Sequence, residues 1–312
     1  MPKVLIVGAG GVGGYIGARL LQSGKTDVDM LARGDHMRAI SKNGLLIHES
    51  DGSSFRVNPG LYDKKSNEGK IYDLVIVTVK YGDLEESLKY ILNNISNSTI
   101  ILPLLNGIAH TRLIDSIVER GRKLNGCIYI VSNIEEPGAI RKKGKVFKIC
   151  WGISGMNMDK YKILSKLFDS AGLRHKATDD IEREMWKKYL FISPMALLSS
   201  YYETDMYGVY NYHRSELETL MKELLALGQA LDIAIYEDDI LSNIEQASKV
   251  PPGSRTSLQL DIEKSKNSEL YPLGGYIVEE ATKRGVDVNL TNKIYTYLLE
   301  KTKSNQRAHS SS

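Results

Sequence analysis

Cysteine is scarce: only Cys127 and Cys150 occur, at neither metal-ligand nor disulfide-framework spacing, which excludes a disulfide-stapled scaffold and fits a reducing, cytoplasmic setting. No apolar run is long enough to cross a bilayer. The apolar stretch Val4 to Val7 is far shorter than the core of a secretory signal and gives way to glycines, so neither a span nor a targeting signal is expected. Charge of one sign is not gathered anywhere: 41 Lys and Arg face 38 Asp and Glu, for a net +3, and their even spread argues against a nucleic-acid partner. The densest basic segment, RKKGK from Arg141 to Lys145, is expected to be a solvated turn. The six histidines are scattered, none at ligand spacing with a cysteine or an acid, so no metal site is expected.

What is present is the composition of a globular chain, 42% hydrophobic and 25% charged, at a length of 312 residues that favours two domains over one core. Up to about residue 180, short β-rich runs alternate with amphipathic ones. KVLIV (3–7), VDMLA (28–32), DLVIVTV (73–79) and STIILPLL (98–105) predict strands; Gly13 to Gln22, Asp35 to Lys42 and Leu84 to Leu92 predict helices between them. CIYIVS (127–132), a hairpin over 139–152 turning at Lys143-Gly144, and LRHKA (173–177) extend the strand count. From Asp179 the periodicity turns helical, with Asp179 and Asp180 as caps and Glu182 and Glu184 in the first turn. Further helices are predicted over Ser215–Ile235, Asp239–Ser248, Thr256–Ser265, Leu273–Arg284 and Thr291–Thr302, before a polar tail expected to fray. The fold class expected is α/β: an N-terminal Rossmann-type doubly wound parallel sheet, residues 1–179, followed by an all-α domain, residues 180–312.

Gly8, Gly10 and Gly13 fit G-x-G-x-x-G directly after a strand and directly before a helix. Gly8, Ala9, Gly10, Gly11, Val12 and Gly13 are therefore expected to cradle a dinucleotide. Gly8 would allow the sharp turn, Gly10 the approach of the pyrophosphate, and Gly13 close packing of helix on strand. NAD-binding chains carry an acid at the end of the second strand; here Leu31-Ala32-Arg33-Gly34 offers a guanidinium instead. An acid would repel a 2′-phosphate and an arginine pairs with it at two points, so the expected cofactor is NADP(H). Asp29 lies inside the strand and is read as a strand-edge residue. Lys80 and Asn106 close the third and fourth strands at the carboxyl ends, where doubly wound sheets bind ligands.

At this point the whole chain resembles the ketopantoate reductase family, the NADPH-dependent 2-dehydropantoate 2-reductases of coenzyme A biosynthesis. The resemblance rests on GAGGVGGYIG (8–17), LARGDHMRAISKNGL (31–45), VTVKYGD (77–83), LLNGI (104–108), REMWKK (183–188) and RTSLQLDIEKSKNSEL (255–270), matched in order and spacing. It implies a dinucleotide-binding domain, an all-helical domain and an active site in the cleft between them. It gives Arg33 and Lys80 to the cofactor phosphate and Asn106 to the nicotinamide side and the substrate. Lys188 becomes the proton donor to the keto oxygen, Ser257 the holder of the substrate carboxylate, and Glu269 the acid that hydrogen-bonds the substrate hydroxyl. The residue types suit the reaction: hydride arriving at a ketone carbon leaves charge on oxygen, and lysine, unlike arginine, can surrender a proton to it. Lys187 is an ordinary helix lysine and Trp186 a packing anchor on this reading.

The pattern fails one and two turns beyond Lys188, where the family carries asparagines and this chain has Ile192 and Ala196, and again near Met206 and Tyr207. Pro194 interrupts the same helix, and a register shift there would bring Ser193 toward the ligand. Three functions follow: reduction of 2-dehydropantoate; reduction of a different, more apolar 2-keto acid; and a non-enzymatic NADP(H)-binding sensor, against which Lys188, Ser257 and Glu269 argue. Tyr201, Tyr202, Tyr207, Tyr210 and Tyr212 are assigned to helix packing in preference to the lining of a pocket or an interface. The partner implied is a small 2-keto acid, with no nucleic acid and no membrane, and a homodimer is left open.

Overall fold

In a computed structural model, residues 1–264 and 269–310 are described. Ser265, the last residue of the helix expected from Thr256, lies outside them, as do Ser311 and Ser312 of the tail. Two units divide the chain: Met1–Leu105 with His110–Ile181, and Asn106–Ala109 with Glu182–Ser312.

The first unit runs β1 (Lys3–Val7), α1 (Gly11–Gln22), β2 (Asp27–Leu31), α2 (Gly34–Asn43), β3 (Leu45–His48), β4 (Ser54–Val57), β5 (Gly60–Leu61), β6 (Leu74–Val77), α3 (Tyr81–Ile91), β7 (Ile100–Pro103), α4 (His110–Ile117), β8 (Arg122–Lys123), β9 (Asn125–Glu136), β10 (Ala139–Gly152), α5 (Lys162–Ser170) and β11 (His175–Thr178). A parallel sheet in the order β5-β2-β1-β6-β7-β8 forms its centre. β1 is apolar at four consecutive positions because both of its faces are covered. Val4 and Ile6 pack with Tyr15 and Ile16 of α1, while Leu5 and Val7 pack with Val75, Leu84, Leu88 and Ile101 on the other side.

A second sheet, β11-β10-β3-β4 with β9 antiparallel to β10, covers the far side of α1. The hairpin expected inside 139–152 is corrected here: β10 is one strand from Ala139 to Gly152, and the chain reverses before it, at Pro137-Gly138, where Gly138 has φ +83°. Lys143-Gly144 is a bulge rather than a turn. Lys143 opposes Val131 and Phe147 opposes Ile130, so the residues between them bow out, with Gly144 at φ +62°. A left-handed glycine serves either structure, and the Pro-Gly pair was the stronger turn signal. Of RKKGK, residues 143–145 are exposed but Lys142 is buried, its Nζ donating to the Gly144 carbonyl at 2.8 Å. The β9–β10 ladder also sets Cys127 opposite Cys150, both buried and unbridged.

The second unit is helical: α6 (Ile181–Tyr201), α7 (Met206–Tyr212), α8 (Arg214–Gln229), α9 (Glu237–Ser248), α10 (Ser257–Glu263), a π turn over 271–275 leading into α11 (Tyr276–Arg284), and α12 (Asn289–Ser310), which runs on into the polar tail. α6 opens with Glu182 and Glu184 in its first turn and continues through Pro194. The shift that would have turned Ser193 toward a ligand does not occur. Ser193 is fully buried, and its hydroxyl donates to the Leu273 carbonyl at 2.6 Å, tying α6 to the π turn. Tyr189 makes the neighbouring tie, Oη to the Pro272 carbonyl at 2.7 Å. No helix among the described residues is long and apolar enough to cross a membrane.

Candidate functional site

The glycine loop connects β1 to α1 by a turn that the sheet itself holds in place. Gly8 takes φ +103°, and its N–H and that of Ala9 donate to the Leu31 carbonyl at 3.2 and 3.1 Å. Thr78 Oγ1 donates to the Gly8 carbonyl at 2.7 Å from the end of β6. Gly14 N–H bonds to the Gly10 carbonyl at 2.8 Å as α1 begins, so the amides of residues 11–13 have no acceptor within the helix and gather at its positive end, the requirement of a phosphate cradle.

The glycines divide by task. A Cβ on Gly10 would meet nothing within 4 Å, whereas one on Gly13 would collide with the Gly8 carbonyl and Thr78 Oγ1. Gly13 is thus the close-packing glycine and Gly10 the open one, as the motif requires. The further glycines answer to the second sheet: a Cβ on Gly11 would stand 2.5 Å from the Ser132 carbonyl of β9, and one on Gly14 would strike Ile140 of β10. Ala9 is buried, and Val12 packs half-buried against the core beneath. An open cradle of helix amides on a fixed turn fits a dinucleotide.

His36, in α2, braces this loop. Its Nδ1 accepts the Gly138 N–H at 3.0 Å and its Nε2 lies 2.9 Å from the Ala9 carbonyl. An amide can only donate and a carbonyl only accept, so the ring is neutral with its proton on Nε2. Burial pushes the His36 pKa down, opposed by the bond to Ala9.

Arg33 forms the N-cap position of α2, and Lys80 that of α3. The half-exposed guanidinium is already engaged: Nη1 lies 3.6 Å from Asp83 Oδ1, and Nη2 lies 3.5 Å from Glu86 Oε2 and 3.3 Å from Ser87 Oγ. Asp29 is not at a strand edge. It is buried, paired on both sides by β1 and β5, and takes Tyr72 Oη at 2.5 Å, Lys70 Nζ at 2.6 Å and Asn67 Nδ2 at 3.1 Å.

In the helical unit, Lys188 lies half-buried on α6 and donates from Nζ to Asn106 Oδ1 at 3.0 Å. Asn106 is held there by Gly107, at φ +77°, where a Cβ would stand 2.7 Å from the Pro272 carbonyl. Lys187, one residue earlier, is turned elsewhere: its Nζ is 3.4 Å from Asp239 Oδ1, which Arg183 also grips at 3.2 Å. Trp186 is buried edge-on against Tyr189 and over Gly228. Beyond Lys188 on the same helix, Ile192 is half-buried and Ala196 is fully buried. Ser257 is exposed at the first residue of α10, just after Thr256, whose Oγ1 accepts the Gln259 N–H and meets Ser199 Oγ at 3.0 Å. Glu269 is buried ahead of the π turn, its carbonyl accepting the Leu273 N–H at 3.2 Å. The structure therefore joins Lys188 directly to Asn106 and seats Ser257 and Glu269 on the α10 and π-turn segments of the same unit.

Sequence reasoning passed over Thr78, His36, Asp83 and Glu86. Thr78 and Asp83 lie inside the quoted VTVKYGD and His36 inside LARGDHM, so the signal was their distance from the glycine loop and Arg33 in space, which spacing along the chain does not give.

Comparison with known proteins agrees over both units. Residues 4–152 match the model of the family "Ketopantoate reductase PanE/ApbA", and residues 180–302 match its C-terminal model. The chain is 27% identical over 304 residues to the uncharacterized oxidoreductase YkpB of Bacillus subtilis, covering 95% of this chain and 97% of that protein. It is likewise 27% identical to a 2-dehydropantoate 2-reductase of Nostoc sp., covering 95% and 94%. Among solved structures, D-mandelate dehydrogenase with NADH and anilino(oxo)acetate superposes with a TM-score of 0.89 at 21% identity, over 97% of this chain and 98% of that one, a likeness of fold. The chain belongs to the ketopantoate reductase family: an oxidoreductase acting on CH–OH groups, built from a Rossmann-type domain and a helical C-terminal domain, with NADP(H) as its cofactor.

Proposed function

We propose that the chain reduces 2-dehydropantoate (ketopantoate) to pantoate, a step toward pantothenate and coenzyme A, in the cytoplasm. The observation that carries the proposal is the Lys188 ammonium held on Asn106 Oδ1 at 3.0 Å while Lys187 on the same helix is committed to Asp239. The bond to Asn106 places the ammonium, and a lysine so placed can give a proton to an oxygen on which charge develops. NADPH, when bound, supplies the hydride to the keto carbon. Lys188 transfers its proton to the oxygen that becomes the hydroxyl, Ser257 receives the substrate carboxylate, and Glu269 accepts a hydrogen bond from the substrate hydroxyl. In the first unit the amides at the start of α1 receive the pyrophosphate, with Arg33 and Lys80 on the adenosine 2′-phosphate. The buried free thiols of Cys127 and Cys150 suit a reducing compartment.

A second substrate is favoured by one observation. Ile192 and Ala196 stand one and two turns beyond Lys188 and offer no hydrogen bond, which suits a more apolar 2-keto acid. NADPH oxidation by the purified protein, followed by absorbance over a panel of 2-keto acids, separates the two. The expected result is the highest kcat/KM with ketopantoate. A larger value for an aromatic or branched apolar keto acid would transfer the assignment to that substrate, and no oxidation with any member would sink both.

A further inference from the structure

We infer that Asp83 and Glu86 set the balance between NADPH and NADH by competing with the 2′-phosphate for Arg33, so that the chain accepts both cofactors. This rests on the proposal that Arg33 receives that phosphate. A guanidinium grips phosphate through two parallel N–H groups, and here both terminal nitrogens already face carboxylates: Nη1 is 3.6 Å from Asp83 and Nη2 is 3.5 Å from Glu86. Ser87 Oγ takes a further Nη2 bond at 3.3 Å.

The acids are fixed by α3 rather than by a loop. The helix starts after Lys80, the Asp83 N–H returns to the Lys80 carbonyl at 2.9 Å, and Glu86 follows one turn later on the same face. α3 keeps both backbones beside Arg33, so the two carboxylates stay within reach of the guanidinium even when their exposed side chains turn aside. A phosphate monoester brings a charge of about −1.5 to −2. On arrival it would displace two carboxylates from the guanidinium and remain well inside a screening length of about 8 Å from both. Asp83 and Glu86 also offset the two cations, Arg33 and Lys80, assigned to it. The hydroxyl of NADH at the same position carries no charge and meets none of this repulsion. Selectivity for the phosphate is thereby lowered without any loss of the pyrophosphate cradle.

Calorimetric titration of NADP+ and NAD+ separately into wild type, D83N, E86Q, the double variant and R33A tests this at low ionic strength. Both substitutions keep the side-chain shape and remove only charge. The double variant is expected to bind NADP+ about tenfold more tightly, with NAD+ changed less than about twofold, in line with a few-fold per exposed charge pair. R33A is expected to weaken NADP+ and spare NAD+. If the double variant binds both cofactors as wild type does while R33A still weakens NADP+ alone, the inference falls and the role of Arg33 stands. If R33A weakens neither or both alike, Arg33 does not hold the 2′-phosphate and both fall.

Discussion

The start of α1 and the middle of α6 are built from different materials. At α1 the groups proposed to face the ligand are backbone amides, positioned by a glycine at φ +103°, a threonine hydroxyl and a histidine, and the side chains that matter are mostly absent ones. On α6 the proposed proton donor is one lysine among ordinary helix residues, and its neighbour of the same type has a different partner. A backbone site therefore fails when an atom is added, and a side-chain site fails when one is removed.

The largest expected effect comes from removing the amine. Lys188→Ala should lower kcat about 10²- to 10⁴-fold, the range of one positioned acid, with NADP+ affinity by calorimetry within about twofold of wild type. Ordinary turnover in that variant would remove the proton-donor role and with it the contrast between the two regions. Adding one methyl at the other end comes next. Gly13→Ala forces a Cβ into the Gly8 carbonyl and Thr78 Oγ1, and should cost about 1–3 kcal/mol of stability together with most of the NADP+ affinity, read by thermal unfolding and titration. Gly10→Ala, with open space around its Cβ, should unfold close to wild type while still weakening NADP+.

The same contrast explains what could be read from the chain. The parallel sheet and the glycine turn from β1 into α1 were legible because strand periodicity and the glycine requirement are local, and few residue types satisfy them: β1 falls at Lys3–Val7, the span read from KVLIV. The short strands β3, β4, β5 and β8 were missed because they are two to four residues long and form only through distant partners. The β10 bulge was mistaken for a turn because Gly144 at positive φ permits either, and the choice lay with β9. In the glycine run itself, Gly11 and Gly14 answer to β9 and β10, a sheet the motif does not mention. On α6 nothing local distinguishes Lys188 from Lys187. Only the family pattern did so, and only the fold shows their different partners.

A smaller effect is expected at His36. The folded chain holds its pKa below the ordinary imidazole value, chiefly through burial, so the unfolded chain takes the proton first. The stability this group contributes is complete above about pH 6.5 and is lost as pH falls below that value. A protonated Nδ1 can no longer accept the Gly138 N–H, so NADP+ affinity should decline in wild type as pH falls below the ordinary imidazole range. In His36→Ala the affinity should already be about three- to tenfold weaker at neutral pH, for one or two lost bonds, with a flatter acid limb. A pH profile identical in the two proteins would mean that His36 does not brace the loop.

The smallest change is also the sharpest control. Lys187 is about two-fifths exposed and shares Asp239 with Arg183, so Lys187→Ala leaves the carboxylate with its better-placed partner and a backbone bond from Tyr236. The lysine end is solvated and the buried carboxylate keeps its other bonds, so the loss should stay within the roughly 0.2–1 kcal/mol of a surface pair, a slight fall in unfolding temperature, with kcat within about twofold of wild type. The two lysines differ by one position on one helix, and any comparable loss of turnover in both variants would mean that α6 acts through its overall charge rather than through the Nζ that Asn106 holds.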